Sequence, residues 1–193
     1  MSIFSKLNFL LKKPKAVVVV GSKRKETKDL VCQVLAKYLK VGRDVLVIEA
    51  DLGNDEDVEK ALFLIKKSRL PILLATSDVE KGLLELTESL PKEGFFVFNF
   101  DDEKLKIADE DKVKCLTFGL KEGADFMASD INTDEEINLK INYRGNVVPV
   151  WLKGKSIYSA LAVACAGTIL GLNLVEISQA LKDSDLQSSK SIL

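Results

Sequence analysis

Ala16-Val17-Val18-Val19-Val20-Gly21-Ser22-Lys23-Arg24-Lys25-Glu26-Thr27 is the stretch that decides how the chain folds. Its first half is a continuous apolar run rich in valine. Such a run, closed by a glycine, predicts a strand buried on both faces, at the centre of a parallel sheet. Thr27 to Lys40 follows with Leu30, Val31, Val34, Leu35 and Tyr38 at helical spacing. A strand–turn–helix unit of this kind aims backbone N–H groups and a helix N-terminus at the strand's carboxyl end, where an anion can bind.

Outward from this unit the pattern repeats. Val45–Ile48, Ile72–Ala75, Phe95–Phe98 and Val113–Phe118 read as further strands, with Asp55–Lys67 and Asp78–Leu90 as helices between them. Alternation of strand and helix predicts an α/β fold, a mostly parallel sheet with helices on both faces. After Gly119 the rhythm changes. Asp125–Ile131, Glu136–Tyr143 and Val147–Leu152 read as short strands, the last two joined by Arg144-Gly145-Asn146 in a tight hairpin, as a small antiparallel appendage. Ser156–Gly171 and Leu174–Leu181 read as two closing helices. The expected organisation is an N-terminal amphipathic segment at 1–15, one domain at 16–182 and a frayed tail at 183–193.

Bulk composition excludes several classes of function. The net charge of −1 gives no electrostatic case for nucleic acid. Histidine is absent, which removes the commonest general base and metal ligand and rules out serine–histidine and cysteine–histidine catalysis. Cys32, Cys115 and Cys165 are far apart and odd in number, so buried reduced thiols in a cytoplasmic protein are expected rather than a disulfide framework. Ile157 to Val175 carries no charge, but its alanines, glycines, Ser159, Thr168 and Asn173 predict a buried core helix rather than a membrane span. Residues 1–13 set Ile3, Phe4, Leu7, Leu10 and Leu11 near helical spacing, before Lys12 and Lys13. This segment reads as a helix packed on the domain, or as a docking surface for a second copy, a protein partner or a membrane.

A working phosphate loop ends in Gly-Lys-Ser/Thr: the glycine lets the backbone curl round the phosphates, the lysine reaches the outer phosphates and the hydroxyl binds magnesium. Here Lys25 takes the lysine position, while Arg24 replaces the glycine and Glu26 the hydroxyl residue. Glu26 sets a negative charge where phosphate oxygens would sit. The loop reads as a basic turn without a ligand, or as a weaker anion or nucleotide site built on Lys23, Arg24 and Lys25.

The chain as a whole resembles the central, ATP-binding domain of the Mur ligases, the ATP-dependent amide ligases of peptidoglycan synthesis, and most of all the type that adds D-alanyl-D-alanine. Val17 to Leu30 looks like the family's first strand and its Gly-Thr/Ser-x-Gly-Lys-Thr-Thr loop, with changes. Val47-Ile48-Glu49-Ala50, the proline-led strand Leu70–Thr76, and Lys81-Gly82 with Leu90-Pro91 and Gly94 follow in the family's order. So do Phe98-Asn99-Phe100-Asp101-Asp102, similar to an Asn-x-Asp-Asp motif, and the segments Thr117–Gly119, Ala124-Asp125, Tyr158–Ala162 and Leu170–Leu172. The resemblance covers residues 16 to 182. It implies a nucleotide site at Gly21, Ser22, Lys23, Lys25 and Thr27, with Asn99 and Asp102 beside it. It also implies Glu49 holding magnesium through water, Lys25 on the γ-phosphate and Lys81 at the family's modified lysine.

Departures from the family pattern fall on the same site. Ser77-Asp78 stands where a histidine-bearing loop would follow the third strand. Gly154-Lys155-Ser156 and Ser159 stand where Gly-x-His-Asn and a second asparagine would contact nucleotide. The domains that supply the nucleotide-sugar and amino-acid sites are expected to be missing. Three readings follow: a degenerate middle domain acting as a binding or scaffolding module, an ATP-binding component of an amide ligase completed by partner chains, or a regulatory protein binding another anion at Lys23–Lys25.

Overall fold

The computed structural model describes residues 9–77, 82–107, 112–134, 136–154 and 156–188. The strands are β1 (Lys15–Val20), β2 (Val45–Glu49), β3 (Pro71–Ala75), β4 (Phe95–Asn99), β5 (Lys114–Gly119), β6 (Phe126–Asn132), β7 (Ile137–Tyr143) and β8 (Asn146–Leu152). The helices are α1 (Arg24–Leu35), α2 (Asp55–Lys67), α3 (Leu83–Glu88), α4 (Ile157–Leu170) and α5 (Leu174–Ser188), with a 3₁₀ turn at Glu103–Leu105. All eight strands join one sheet in the order β2-β1-β3-β4-β5-β6-β7-β8.

The valine run lies where its composition predicts. β1 pairs in parallel with β2 on one side and β3 on the other. Its side chains alternate between two cores. Val17 and Val19 face α1, α4 and α5, while Ala16, Val18 and Val20 face α2 and α3. A strand covered on both faces needs apolar residues at every position, which is why it shows no polar alternation.

The antiparallel part is an extension of the main sheet rather than a separate appendage. β6 continues in parallel beside β5 through Phe118↔Phe126 and Gly119↔Met127, and only then does β7 reverse direction. Phe126 anchors this short junction: it is fully buried and stacks on Tyr143 with ring centroids 3.9 Å apart. Burying a ring of this size stabilises by roughly 1.5–3 kcal/mol. β8 forms the sheet's edge, and Pro149 within it has no N–H to offer a further strand.

α4 is the apolar helix expected between Ile157 and Val175. Residues Ser159 to Gly167 are all buried, and a Cβ added at Gly167 would lie 2.9 Å from Ile177, so the glycine sets how closely α5 packs. No helix among the described residues is long and apolar enough to cross a membrane. α5 continues to Ser188, past the expected end at Leu181, because Ser184 still faces the core and its hydroxyl donates to the Leu181 carbonyl. At the other end Phe9 packs on Phe63 of α2 at 5.4 Å, while Leu11 stays exposed. Residues 1–8, the expected cap Asp78, and Lys81 lie outside the described residues.

Candidate functional site: the cavity at the β1–α1 turn

Parallel strands end together at the carboxyl edge of the sheet, and β1, β3 and β4 there enclose a cavity of about 410 Å³. Ser22, Lys23 and Thr27 line it from the β1–α1 turn, Thr76 and Ser77 from the end of β3, Asn99, Asp101, Asp102 and Glu103 from the end of β4, and Ser156, Tyr158 and Ser159 from the start of α4. Of the residues singled out from sequence, Ser22, Lys23, Thr27, Asn99 and Asp102 therefore meet here. Lys25 and Glu49 do not line the cavity.

The turn itself is short. Gly21 adopts φ +100°, and helix α1 begins at Arg24 with Lys23 as its cap residue. A Cβ on Gly21 would lie 2.4 Å from the Ser77 carbonyl oxygen and 2.7 Å from Thr76 Oγ1. The glycine is thus required by the close approach of the β1–α1 turn to the end of the neighbouring parallel strand β3. Ser22 donates its N–H to Ser77 O at 3.3 Å, and the two hydroxyls are 2.7 Å apart.

Early entry into helix turns Lys25 outward. Successive helical residues differ in direction by about 100°, so Lys23 reaches the cavity and Lys25 is exposed. Arg24 turns toward β2, where its guanidinium pairs with Asp51 and donates to the Gly21 carbonyl. Thr27 is fully buried, and its hydroxyl lies 3.0 Å from that of Ser159.

Glu26 sits at the third helical position of α1 and reaches across to α4. Its Oε1 accepts the Ser156 N–H at 3.0 Å and the Ser159 hydroxyl at 3.4 Å, and its Oε2 lies 3.9 Å from Lys23 Nζ. Because Ser159 has a single hydroxyl proton, Thr27 is then the donor to Ser159. Ser156 caps α4 without a side-chain hydrogen bond of its own. Glu26 therefore plays, from another helix, the part a capping-box glutamate plays within one. Its carboxylate lies between two helix N-termini, where the partial positive charges of both helices favour an anion.

The acidic side of the cavity is also engaged. Asp101 accepts the N–H groups of Leu120 at 2.7 Å and Lys121 at 3.1 Å, and the Tyr158 hydroxyl at 2.9 Å. Burial, together with the bond to Asp101, pushes the Tyr158 hydroxyl up to about 12. Asp102 caps the 3₁₀ turn by accepting the Lys104 N–H. Asn99 accepts the Asp101 N–H through its side-chain carbonyl at 3.0 Å. Glu49 lies 3.4 Å from Lys28 Nζ, and Lys28 also pairs with Asp29 at 3.1 Å. The described residues contain no cluster of carboxylates or thiols able to hold a metal ion. The three thiols are free, and burial raises the Cys165 thiol well above its ordinary range.

Sequence reasoning placed Ser77 at the site but did not find the tie from Glu26 to Ser156, or Thr76 and Tyr158 as cavity walls. Polar residues at the ends of apolar runs are the one signal that marks them, since those ends gather at the sheet's carboxyl edge.

The Mur ligase middle domain model matches residues 70–167, just over half of the chain, beginning at β3 and so after the Gly21–Thr27 loop. No curated protein sequence matches. Among solved structures, a MurF crystal structure from Acinetobacter baumannii superimposes with a TM-score of 0.74 at 12% identity, over 91% of this chain and 47% of that one. MurF ligase from Thermotoga maritima in complex with ADP gives 0.69 at 17% identity, over 90% and 49%. The ligase MPL from Neisseria meningitides gives 0.70 at 17% identity, over 92% and 68%. The chain thus spans about half the length of the MurF structures it resembles. By fold and by family match, it belongs to the Mur ligase middle-domain family.

Proposed function

We propose that this domain is a degenerate Mur-ligase middle domain without ligase activity, serving in the cytoplasm as a binding or scaffolding module related to peptidoglycan synthesis. The observation that carries this reading is the Glu26 carboxylate, which occupies the space between the N-termini of α1 and α4 with the protein's own negative charge. Magnesium–ATP does not fit the residues present. Arg24 is tied to Asp51, Glu49 lies beside Lys28, Thr27 is buried against Ser159, and Lys25 faces away from the cavity. Lys23 is the one cation lining the cavity among the described residues, against Asp101, Asp102 and Glu103. A polyphosphate would add like charge to that wall. Free cysteines accord with a reducing compartment, and residues 1–13, with Leu10 and Leu11 exposed, are the proposed attachment point for a partner or a second copy.

Calorimetric titration with ATP, with and without magnesium, tests this reading. No binding is expected in either condition. Magnesium-dependent micromolar binding that Lys25→Ala abolishes would overturn it in favour of an ATP-binding component completed by partner chains. Magnesium-independent binding would point instead to an anion site at Lys23–Lys25.

A further inference from the structure

Strands β2, β1 and β3 begin in near register, with Lys15 opposite Val45 and Ala16 opposite Pro71. Two residues ahead of each strand stand Arg43, Lys13 and Arg69, all exposed. Adjacent parallel strands lie about 4.8 Å apart, so the amino edge of the sheet, opposite the cavity, carries a row of cations. The Arg69 N–H donates to the Pro14 carbonyl at 3.1 Å, which sets the end of α2, with exposed Lys66 and Lys67, beside exposed Lys12 and Lys13. Asp44 is the one acid in the segments 12–15, 40–44 and 66–70, and Arg43 takes it up. Lys12, Lys13, Lys40, Lys66, Lys67 and Arg69 have no ion pair among the described residues. The C-terminus of α2 offsets only about half an elementary charge. A chain of net charge −1 thus has a concentrated positive edge. Apolar groups share it. Residues 9–12 are helical, and with Phe9 buried against Phe63, Leu10 and Leu11 stay 39% and 78% exposed beside the cations.

We propose that this edge docks the domain peripherally on an anionic lipid surface, with Leu10 and Leu11 in the headgroup boundary and the cations against the lipid phosphates. Cations within a Debye length of about 8 Å repel one another, and a surface dense in negative charge relieves that repulsion along the whole row. Stable peripheral attachment takes two signals, burial of apolar groups and a polybasic patch, and this edge offers both. Ile3, Phe4 and Leu7 in the sequence ahead of Phe9 add to the apolar signal. Nucleic acid would neutralise the cations but leave Leu10 and Leu11 in water. A second copy docked edge to edge would set cation against cation. Because the cavity lies at the carboxyl edge, docking leaves it facing away from the lipid. The proposal rests on the reading of residues 1–13 as the attachment point and names what they attach to.

The test is co-sedimentation of the full chain with vesicles of phosphatidylcholine alone and of phosphatidylcholine with about one-third phosphatidylglycerol, at about 0.1 M and about 0.5 M salt. Binding is expected to the anionic vesicles only, and to fall steeply at the higher salt. Lys67→Ala combined with Arg69→Ala should weaken it about tenfold or more. Leu11→Ser should weaken it several-fold, and since both changes fall on exposed side chains, the melting temperature should not move. No binding to anionic vesicles, or equal binding to both compositions, overturns the proposal. So does tighter binding to a DNA duplex that Leu11→Ser leaves unchanged, which would make the edge a polyanion site. Sedimentation velocity separates the proposal from the reading beneath it. A chain that ignores vesicles but forms a dimer that Leu11→Ser dissociates keeps residues 1–13 as the attachment point and overturns the lipid partner. If Leu11→Ser alters neither vesicle binding nor oligomeric state, both are overturned.

Discussion

Ser156 donates its backbone N–H to the Glu26 carboxylate at 3.0 Å, across 130 positions of sequence. This bond caps α4 from α1 and fixes the spacing of the two helices above the sheet. Removing the cap by Glu26→Ala should therefore lower stability by about 1–2 kcal/mol. Glu26→Gln, which keeps an acceptor but not the charge, should lose about half as much. Urea unfolding monitored by circular dichroism measures both. An unchanged midpoint in Glu26→Ala would remove Glu26 from any structural role and undercut the claim that it replaces an external anion.

Gly21 would be expected to tolerate alanine if its only task were to let phosphates approach. Its φ of +100° and the 2.4 Å approach of a Cβ to Ser77 O say otherwise. Strain at a left-handed position and displacement of the β3 terminus add together. Gly21→Ala should destabilise by at least about 2 kcal/mol. A variant as stable as the parent would show that the approach of the β1–α1 turn to the end of β3 can relax, and would return the glycine to a ligand-binding explanation.

The sheet was legible because burial on both faces writes itself into sequence as unbroken apolar runs. Val17–Val20, Ile72–Ala75 and Phe96–Phe98 all became buried strand residues in parallel register. Helix α2 matched its expected bounds, since Asn54 caps it, acids open it and Lys66 and Lys67 close it. The site was less legible. The helix begins at Arg24, three residues before the expected start at Thr27, leaving Lys25 exposed while Lys23 lines the cavity, and no periodicity of the loop reports that phase. Glu26 and Ser156, or Asp101 and Tyr158, meet only because the sheet order brings β1, β4 and α4 to one edge.

Thr27 and Ser159 allow the hydroxyl relay beneath Glu26 to be measured. Thr27 is fully buried and its hydroxyl's recorded partner is Ser159. Thr27→Val should cost about 1 kcal/mol, and Ser159→Ala, which also strips a bond from Glu26, slightly more. Because the two groups share one interaction, the double variant should cost less than the sum of the two changes by at least about 0.5 kcal/mol. Strict additivity in the denaturation midpoints would mean that the hydroxyls do not bond.

Tyr158 gives the domain a predictable response to alkaline pH. Its hydroxyl is half-buried and donates to Asp101, so burial first and the carboxylate second raise it from 10.0 to about 12. A folded-state value above the unfolded one means that the unfolded chain releases this proton first as pH rises. The stabilising effect of the bond is therefore fully present below pH 10, declines between about 10 and 12, and is gone above that. Of the three tyrosines, Tyr158 should be the one whose ultraviolet phenolate signal appears last in the folded protein. Tyr158→Phe should delete that late step and flatten the loss of stability between pH 10 and 12. If the variant titrates like the parent, Tyr158 does not hold the Asp101 carboxylate, and the tie between the β5 turn and α4 must rest on the backbone bonds of Leu120 and Lys121 alone.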